Sequence, residues 1–223
     1  MRRARVLAAL GTGAASIVAV HAAVAGAAGT PEIAVAPKCV VNAHPTTGSP
    51  MAVAGSGFAA GDSIQLSAGD TSGTATASST GTFDVLIPSP TLATTGAGSK
   101  KFTMTAQDET SGTGSARTTF WVANLAFTTS PRIAKPTAKV HFSFSGFKPG
   151  ASVYGHYLRA HKLVATERFG RASGICGLLK VKAHVFPLRH PASGKYRVQI
   201  DDSRKYRAKS VPRVDSILSI GRF

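Results

Sequence analysis

The chain has 223 residues and a formal net charge of +16, from 26 Lys and Arg against 10 Asp and Glu. Hydrophobic residues make up 43% and charged residues 16%, so there is apolar material for a packed core and a charge-rich disordered chain is excluded. The length allows one or two domains, and the basicity bears on partners rather than on fold.

In chain order, Arg2, Arg3 and Arg5 precede an Ala/Gly/Val-rich stretch from Val6 to Gly29 that is broken only by His21. Small residues at Ala23 and Ala25, and again at Ala25 and Ala27, suit cleavage, so 1–29 reads as a signal peptide. An uncleaved anchor is the alternative, although Ala and Gly insert poorly compared with Leu or Ile. Arg2 and Arg3 are followed by Ala4, Arg5 and Val6, which is not a twin-arginine pattern. No cysteine at the end of the stretch offers a lipid site, and Ser219 to Phe223 show no sorting motif. The expectation is a protein that is secreted or associated with the extracellular cell envelope.

Beyond residue 29 the apolar residues alternate in short runs between Gly, Pro, Ser and Thr, which predicts strands. They fall near 33–41, 51–57, 63–68, 74–78, 83–87, 101–107 and 116–123. A second series falls near 125–129, 139–145, 152–159, 162–168, 177–185, 195–201 and 214–220. A weak internal repeat links the two series. Gly57, Phe58 and Gly61 recur as Gly146, Phe147 and Gly150, Gly81 corresponds to Gly177, and Lys101–Asp108 corresponds to Lys195–Asp202. About seven strands per copy is the pattern of an immunoglobulin-like sandwich. The expected fold is therefore all-β, with two tandem immunoglobulin-like β-sandwich domains, 30–124 and 125–223, after the signal peptide. Glycines allow the tight reversal, and each Phe is expected to plug the end of its core.

His44 to Pro50, followed by Ala52 to Phe58, resembles the opening of bacterial immunoglobulin-like domains of the IPT/TIG and related types. Lys139 to Phe147 resembles it less closely. The resemblance covers about a fifth of the mature chain and implies a secreted or cell-surface adhesive or spacer module. It brings no catalytic residues to this sequence.

Cys39 and Cys176 are the only cysteines, and neither sits in a C-x-x-C pair that would suggest zinc or redox chemistry. An even count in an exported protein favours a disulfide. Because the two fall in different domains, two separate buried thiols are the alternative.

The charge is unevenly spread. Residues 30–124 hold four basic and six acidic residues, whereas 125–223 hold nineteen basic and four acidic, a net of +15. Alternation turns Val140, Phe142 and Phe144 inward in one strand, and Leu179, Val181 and Ala183 in another. Since the second and fifth strands of such a sandwich are neighbours, Lys139, His141, Lys180, Lys182 and His184 are expected to form one basic face. A second candidate polyanion-binding cluster is Arg204, Lys205, Tyr206, Arg207 and Lys209, in the loop before the last strand. There Tyr206 could stack on a sugar or base while the cations hold phosphates. Outward lysines also serve solubility, which is the simpler account of any one cluster.

His156 and His161 point to opposite faces of a strand and are expected to flank a hairpin, one packed on Tyr154 or Tyr157, rather than hold a metal. Asp201, Asp202 and Glu167 read as a strand end or an arginine salt bridge rather than an acid pair. Cys176, between Gly174 and Gly177, has only Arg171 nearby to depress its thiol. Trp121 is expected to pack at the domain join. No catalytic, metal or cofactor site is expected. The leading expectation is a non-enzymatic surface or adhesion protein whose basic domain binds an anionic envelope polymer, an acidic glycan or an anionic membrane surface. An exported location disfavours nucleic acid. A protein-partner module is the first alternative, and a secreted hydrolase the second.

Overall fold

The computed structural model describes residues 30–110 and 114–220, and within them the chain is built from strands and turns without a helix. The expected signal peptide, 1–29, lies outside the described residues. The first series comprises β1 (Glu32–Ala36), β2 (Cys39–Asn42), β3 (Pro50–Ser56), β4 (Ser63–Ala68), β5 (Thr71–Thr76), β6 (Phe83–Pro88), β7 (Ser99–Asp108) and β8 (Ser115–Asn124). The second comprises β9 (Ala126–Ser130), β10 (Lys139–Ser145), β11 (Ser152–Arg159), β12 (Lys162–Arg171), β13 (Leu179–His184), β14 (Gly194–Asp201) and β15 (Arg213–Ile220).

In the first series, sheet β1-β3-β6 packs on sheet β2-β8-β7-β4-β5; in the second, β9-β10-β13 packs on β12-β11-β14-β15. The alternating apolar positions meet between each pair of sheets. One cluster includes Val53, Ile64, Leu66, Met104 and Phe120. The other includes Phe142, Tyr157, Tyr196, Val198 and Ile200. The Phe169 ring lies 4.9 Å from both Phe142 and Phe144, adding aromatic packing to the burial of apolar area. The described residues are all-β and immunoglobulin-like, and the strands of the second series follow the order of the first except that β2 has no counterpart.

The repeated glycines explain why the two series match. Gly57, Gly61, Gly146 and Gly150 have φ of 81°, 82°, 81° and 81°, a region that side chains other than glycine rarely occupy. Phe58 and Phe147, next to the first glycine of each pair, are buried in the two clusters as expected. At Gly177 the demand is also one of space: a Cβ there would lie 1.6 Å from the carbonyl oxygen of Phe147. Gly81 stands in the same relation to the Phe58 carbonyl, at 2.2 Å.

The single strand expected over 33–41 is two strands in different sheets. Pro37 has no N–H to offer a ladder, so pairing with β3 stops at Ala36. After Lys38 the chain crosses the sandwich and β2 pairs in parallel with β8, Cys39 opposite Trp121 and Asn42 opposite Asn124. Fully buried Asn42 then anchors the crossing. Its Nδ2 donates to the Pro90 carbonyl at 3.0 Å, and its Oδ1 accepts from Ser49 N and Ser89 Oγ at 2.9 and 2.7 Å. Satisfying both ends of a buried amide in this way avoids a penalty of about 1–3 kcal/mol for each group left unpaired.

One residue, Leu125, separates β8 from β9, and its N–H donates to the Asn42 carbonyl at 2.9 Å. Ser145 Oγ donates to the Asn124 carbonyl at 2.7 Å and accepts from Gly98 N at 3.0 Å. Cys39 and Cys176 are joined as a disulfide across 137 residues, so the alternative of two separate thiols does not hold. The bridge ties β2 to the turn between β12 and β13.

Three outcomes are expected of stability measurements. Gly177→Ala should lower the unfolding free energy by about 3 kcal/mol or more, because both φ and space oppose it. Gly150→Ala, with open space around it, should cost only about 1 kcal/mol. Replacing both cysteines by serine should cost about 4–5 kcal/mol in chemical denaturation, the value for so long a closed loop.

Candidate functional site

In β10 and β13 every second side chain enters the core, so the intervening ones share the outer face of one sheet. The antiparallel register sets Lys139 opposite His184, His141 opposite Lys182, and Ser143 opposite Lys180. All five basic residues expected on this face are exposed there. Strand β9 extends the face with Ser130 beside His141 and Thr128 beside Ser143. The outward positions of these three strands carry no carboxylate. His184 Nδ1 donates to the Thr137 carbonyl at 2.8 Å, which fixes the ring on the face. Alternate residues on a strand are about 7 Å apart and facing residues about 5 Å apart. Lys182 therefore lies within about one screening length of both Lys139 and Lys180, and an anion laid across the three would relieve their repulsion.

The second cluster lies elsewhere. Arg204, Lys205, Tyr206, Arg207 and Lys209 are in the β14–β15 loop, which folds back over the outer face of β12-β11-β14-β15. The inner faces of the two sheets share one core, so this outer face and that of β9-β10-β13 point in opposite directions. The four cations are exposed, but Tyr206 is half-buried, its ring edge-on to His156 at 5.8 Å. Its part in the loop is to pack, with the imidazole as its partner. Nearby, Arg197 and Arg213 share Asp215 at 2.9 and 3.0 Å, so this side of the sandwich is partly neutralised.

Beneath the loop is a buried polar layer. Asp201, fully buried, accepts from Ser203 N at 2.8 Å, Ser210 Oγ at 2.6 Å, Gln199 Nε2 at 2.6 Å and His156 Nε2 at 3.2 Å. His156 Nε2 also lies 3.0 Å from the Ser203 carbonyl, which can only accept, so this nitrogen carries a proton. Nδ1 faces Thr166 Oγ1 at 3.1 Å. Gln199 Nε2 also donates to the Arg207 carbonyl at 2.8 Å, closing the loop onto the strand.

These contacts correct several expectations. Asp201 is neither a surface strand end nor an arginine partner, because the loop covers it and its bonds go to His156, Gln199 and two serines. His156 packs on Tyr206, not on Tyr154 or Tyr157, since it points outward from β11 under the loop. His161 is exposed in the β11–β12 turn with φ of 65°. Cys176 is engaged in the disulfide and offers no thiol. Trp121 sits half-buried opposite Cys39 on β8.

Glu167 is the other acid with a distinctive setting. It turns toward the core edge and accepts a hydrogen bond from Tyr157 Oη at 3.3 Å. Burial pushes its carboxyl above the usual range, partly offset by the Tyr157 hydrogen bond and the nearby His184. Burial, reinforced by the Glu167 charge, likewise pushes the Tyr157 hydroxyl up.

No family model matches the chain, and no curated protein matches it. Among solved structures it is similar to a tetra-tandem repeat from the extending region of a large adhesion protein. That match has 13% identity, covers 86% of this chain and 49% of the other, and has a TM-score of 0.29. It is also similar to a Ca2+-stabilized adhesin that helps an Antarctic bacterium reach out and bind ice, at 16% identity, 87% and 48% coverage, and a TM-score of 0.34. Bovine butyrophilin matches at 10% identity, 86% and 99% coverage, and a TM-score of 0.30. The chain spans about half the length of the first two. Likenesses at these scores carry no information about ligand or activity.

Asp201→Asn puts an amide N–H2 where the pocket supplies only donors. It should speed tryptic cleavage within 202–212 at least tenfold and cost about 2–4 kcal/mol. Glu167 has a folded-state pKa raised above its unfolded value, so the native state holds the extra proton. Its contribution to stability is therefore fully present below about pH 4.5 and is lost as pH rises through the folded value. Glu167→Gln keeps an acceptor for Tyr157, and should flatten this fall in the denaturation midpoint between acid and neutral pH.

Proposed function

We propose that the chain is an exported, non-enzymatic surface module of two immunoglobulin-like domains, 30–124 and 125–223, whose second domain holds an anionic polymer of the cell envelope or an acidic glycan. The observation that carries this reading is the outer face of β9-β10-β13, where Lys139, Lys180 and Lys182 stand in register without a carboxylate among them. The disulfide supports an extracellular setting. The sheet is a rigid platform, so its charges are held in place before a polymer arrives and little ordering is required on binding. The loop carrying Arg204, Lys205, Arg207 and Lys209 adds long-range attraction from the opposite side.

The test is retention of the full chain on a heparin-type resin and on immobilised anionic wall polymer. Changing Lys139, Lys180 and Lys182 to Glu together should bring elution at roughly half the wild-type salt concentration. Changing Arg204, Lys205, Arg207 and Lys209 to Ala should shift it less. Unchanged elution of the first variant overturns the assignment of the face.

A further inference from the structure

The two sandwiches differ at one edge. In the first, β2 lies along β8 and closes the space between the sheets, with Val40 only 3% exposed in the core. The second has no counterpart of β2. Thirteen residues connect β1 to β3, but only eight connect β9 to β10. Those eight are committed elsewhere, since the carbonyls of Pro136 and Ala138 accept from Phe186 N and Val185 N just beyond β13. Had they first crossed over and run as a four-residue strand, about two residues would remain to recross. Two residues span about 7 Å at most, against about 10 Å between packed sheets.

The consequence is an open edge. Among the described residues β15 pairs only with β14, leaving its other row of N–H and C=O groups unpaired. Beside it a cavity of about 290 Å3 opens between the sheets, lined by Phe142, Val198, Ile200, Leu218, Ala134 and Ile133. Around its mouth, Ile133 is 92% and Ile217 69% exposed. Arg132 stands in the same wall. Core-type side chains facing an apolar cavity, next to an unpaired ladder, are the two halves of a strand-addition site.

We propose that this edge takes up an extended segment of a partner protein as an added strand parallel to β15, in the place that β2 occupies in the first sandwich. The chemistry of the occupant follows from the apolar lining of the cavity and from charge. It has a β-branched or leucine residue at every second position, entering the cavity as Val40 enters the first core, and carboxylates at its flanks facing Arg132 and the basic domain. A second copy is disfavoured because pairing β15 with β15 brings together two domains of net +15. This site is separate from the β9-β10-β13 face and goes beyond polyanion binding.

The test uses the full chain in 0.5 M salt with a fluorescein-labelled peptide, Asp-Val-Thr-Ile-Thr-Val-Asp, and a control with its three apolar residues replaced by serine. Saturable anisotropy is expected at or below roughly 100 µM for the first peptide only. Ala134→Trp, which fills the cavity, should weaken binding at least tenfold while leaving the thermal midpoint unchanged or higher. Amide hydrogen exchange over 213–220 should slow when the peptide is added. A spin label on the peptide N-terminus should broaden Arg213 before Ile220, as the parallel β2–β8 register requires. No saturation by 1 mM, equal binding of the serine control, or broadening at Ile220 first would each overturn the proposal. So would protection of 213–220 that rises with protein concentration alone, which indicates a second copy. Should Ala134→Trp fail to fold, exchange in the unmodified chain decides.

Discussion

The crossing of β2 from one sheet to the other is the constraint on which the rest of the structure depends. It begins where Pro37 can no longer supply a ladder N–H, and it ends where Asn42 satisfies three neighbours inside the protein. Four residues thereby close the first sandwich, place Cys39 for the bridge and present the Asn42 carbonyl to Leu125. The same short strand caps one core and holds the start of the next series by a backbone hydrogen bond. Where the second series lacks those residues, the same topology leaves its core open along β15.

A single buried carboxylate plays the corresponding part in the second sandwich. The basic loop between β14 and β15 would be repelled by its own charge if it were merely tethered at both ends. Asp201 gathers Ser203, Ser210, Gln199 and His156 under it, and the backbone carbonyl of Arg207 completes the closure. Burial of Asp201 is tolerated because four donors, Ser203 N, Ser210 Oγ, Gln199 Nε2 and His156 Nε2, converge on its carboxyl oxygens. The result separates two kinds of basic surface. One is a flat sheet face with register-set lysines, and the other is a curved strap held from beneath by Asp201 and Gln199.

Much of this was legible in the residues. Strict alternation through Val140, Phe142 and Phe144, and again through Leu179, Val181 and Ala183, identifies core and outer positions without coordinates. Strand order then brings Lys139, Lys180 and Lys182 onto one face. The Gly-Phe-x-x-Gly repeat is readable because backbone demand at Gly57 and Gly146 leaves few other choices. The break at Pro37 is harder to see, since apolar alternation resumes at once with Val40 and disguises a change of sheet. Asp201 looks like a surface residue because nothing local says that a polar loop will fold over it; the faint signal is Asp201 followed by Ser203, an aspartate turn at a strand end. The relation between the two basic clusters depends on which sheet each segment joins, and the pairing of Cys39 with Cys176 depends on how the two strand series meet. Neither is a property of neighbouring residues.

The bridge also decides how the molecule carries load. Tension applied between residue 30 and residue 220 enters through β1, reaches Cys39 and passes directly to Cys176. It leaves through the segment from β13 to β15 without stretching the chain between. The 137 residues spanned by the bridge, roughly 450 Å of contour, are withheld from extension while the sulfurs stay joined. The strands left to yield under such a pull are those outside the bridge, β1 and β13 to β15, while everything from β2 to β12 is shielded.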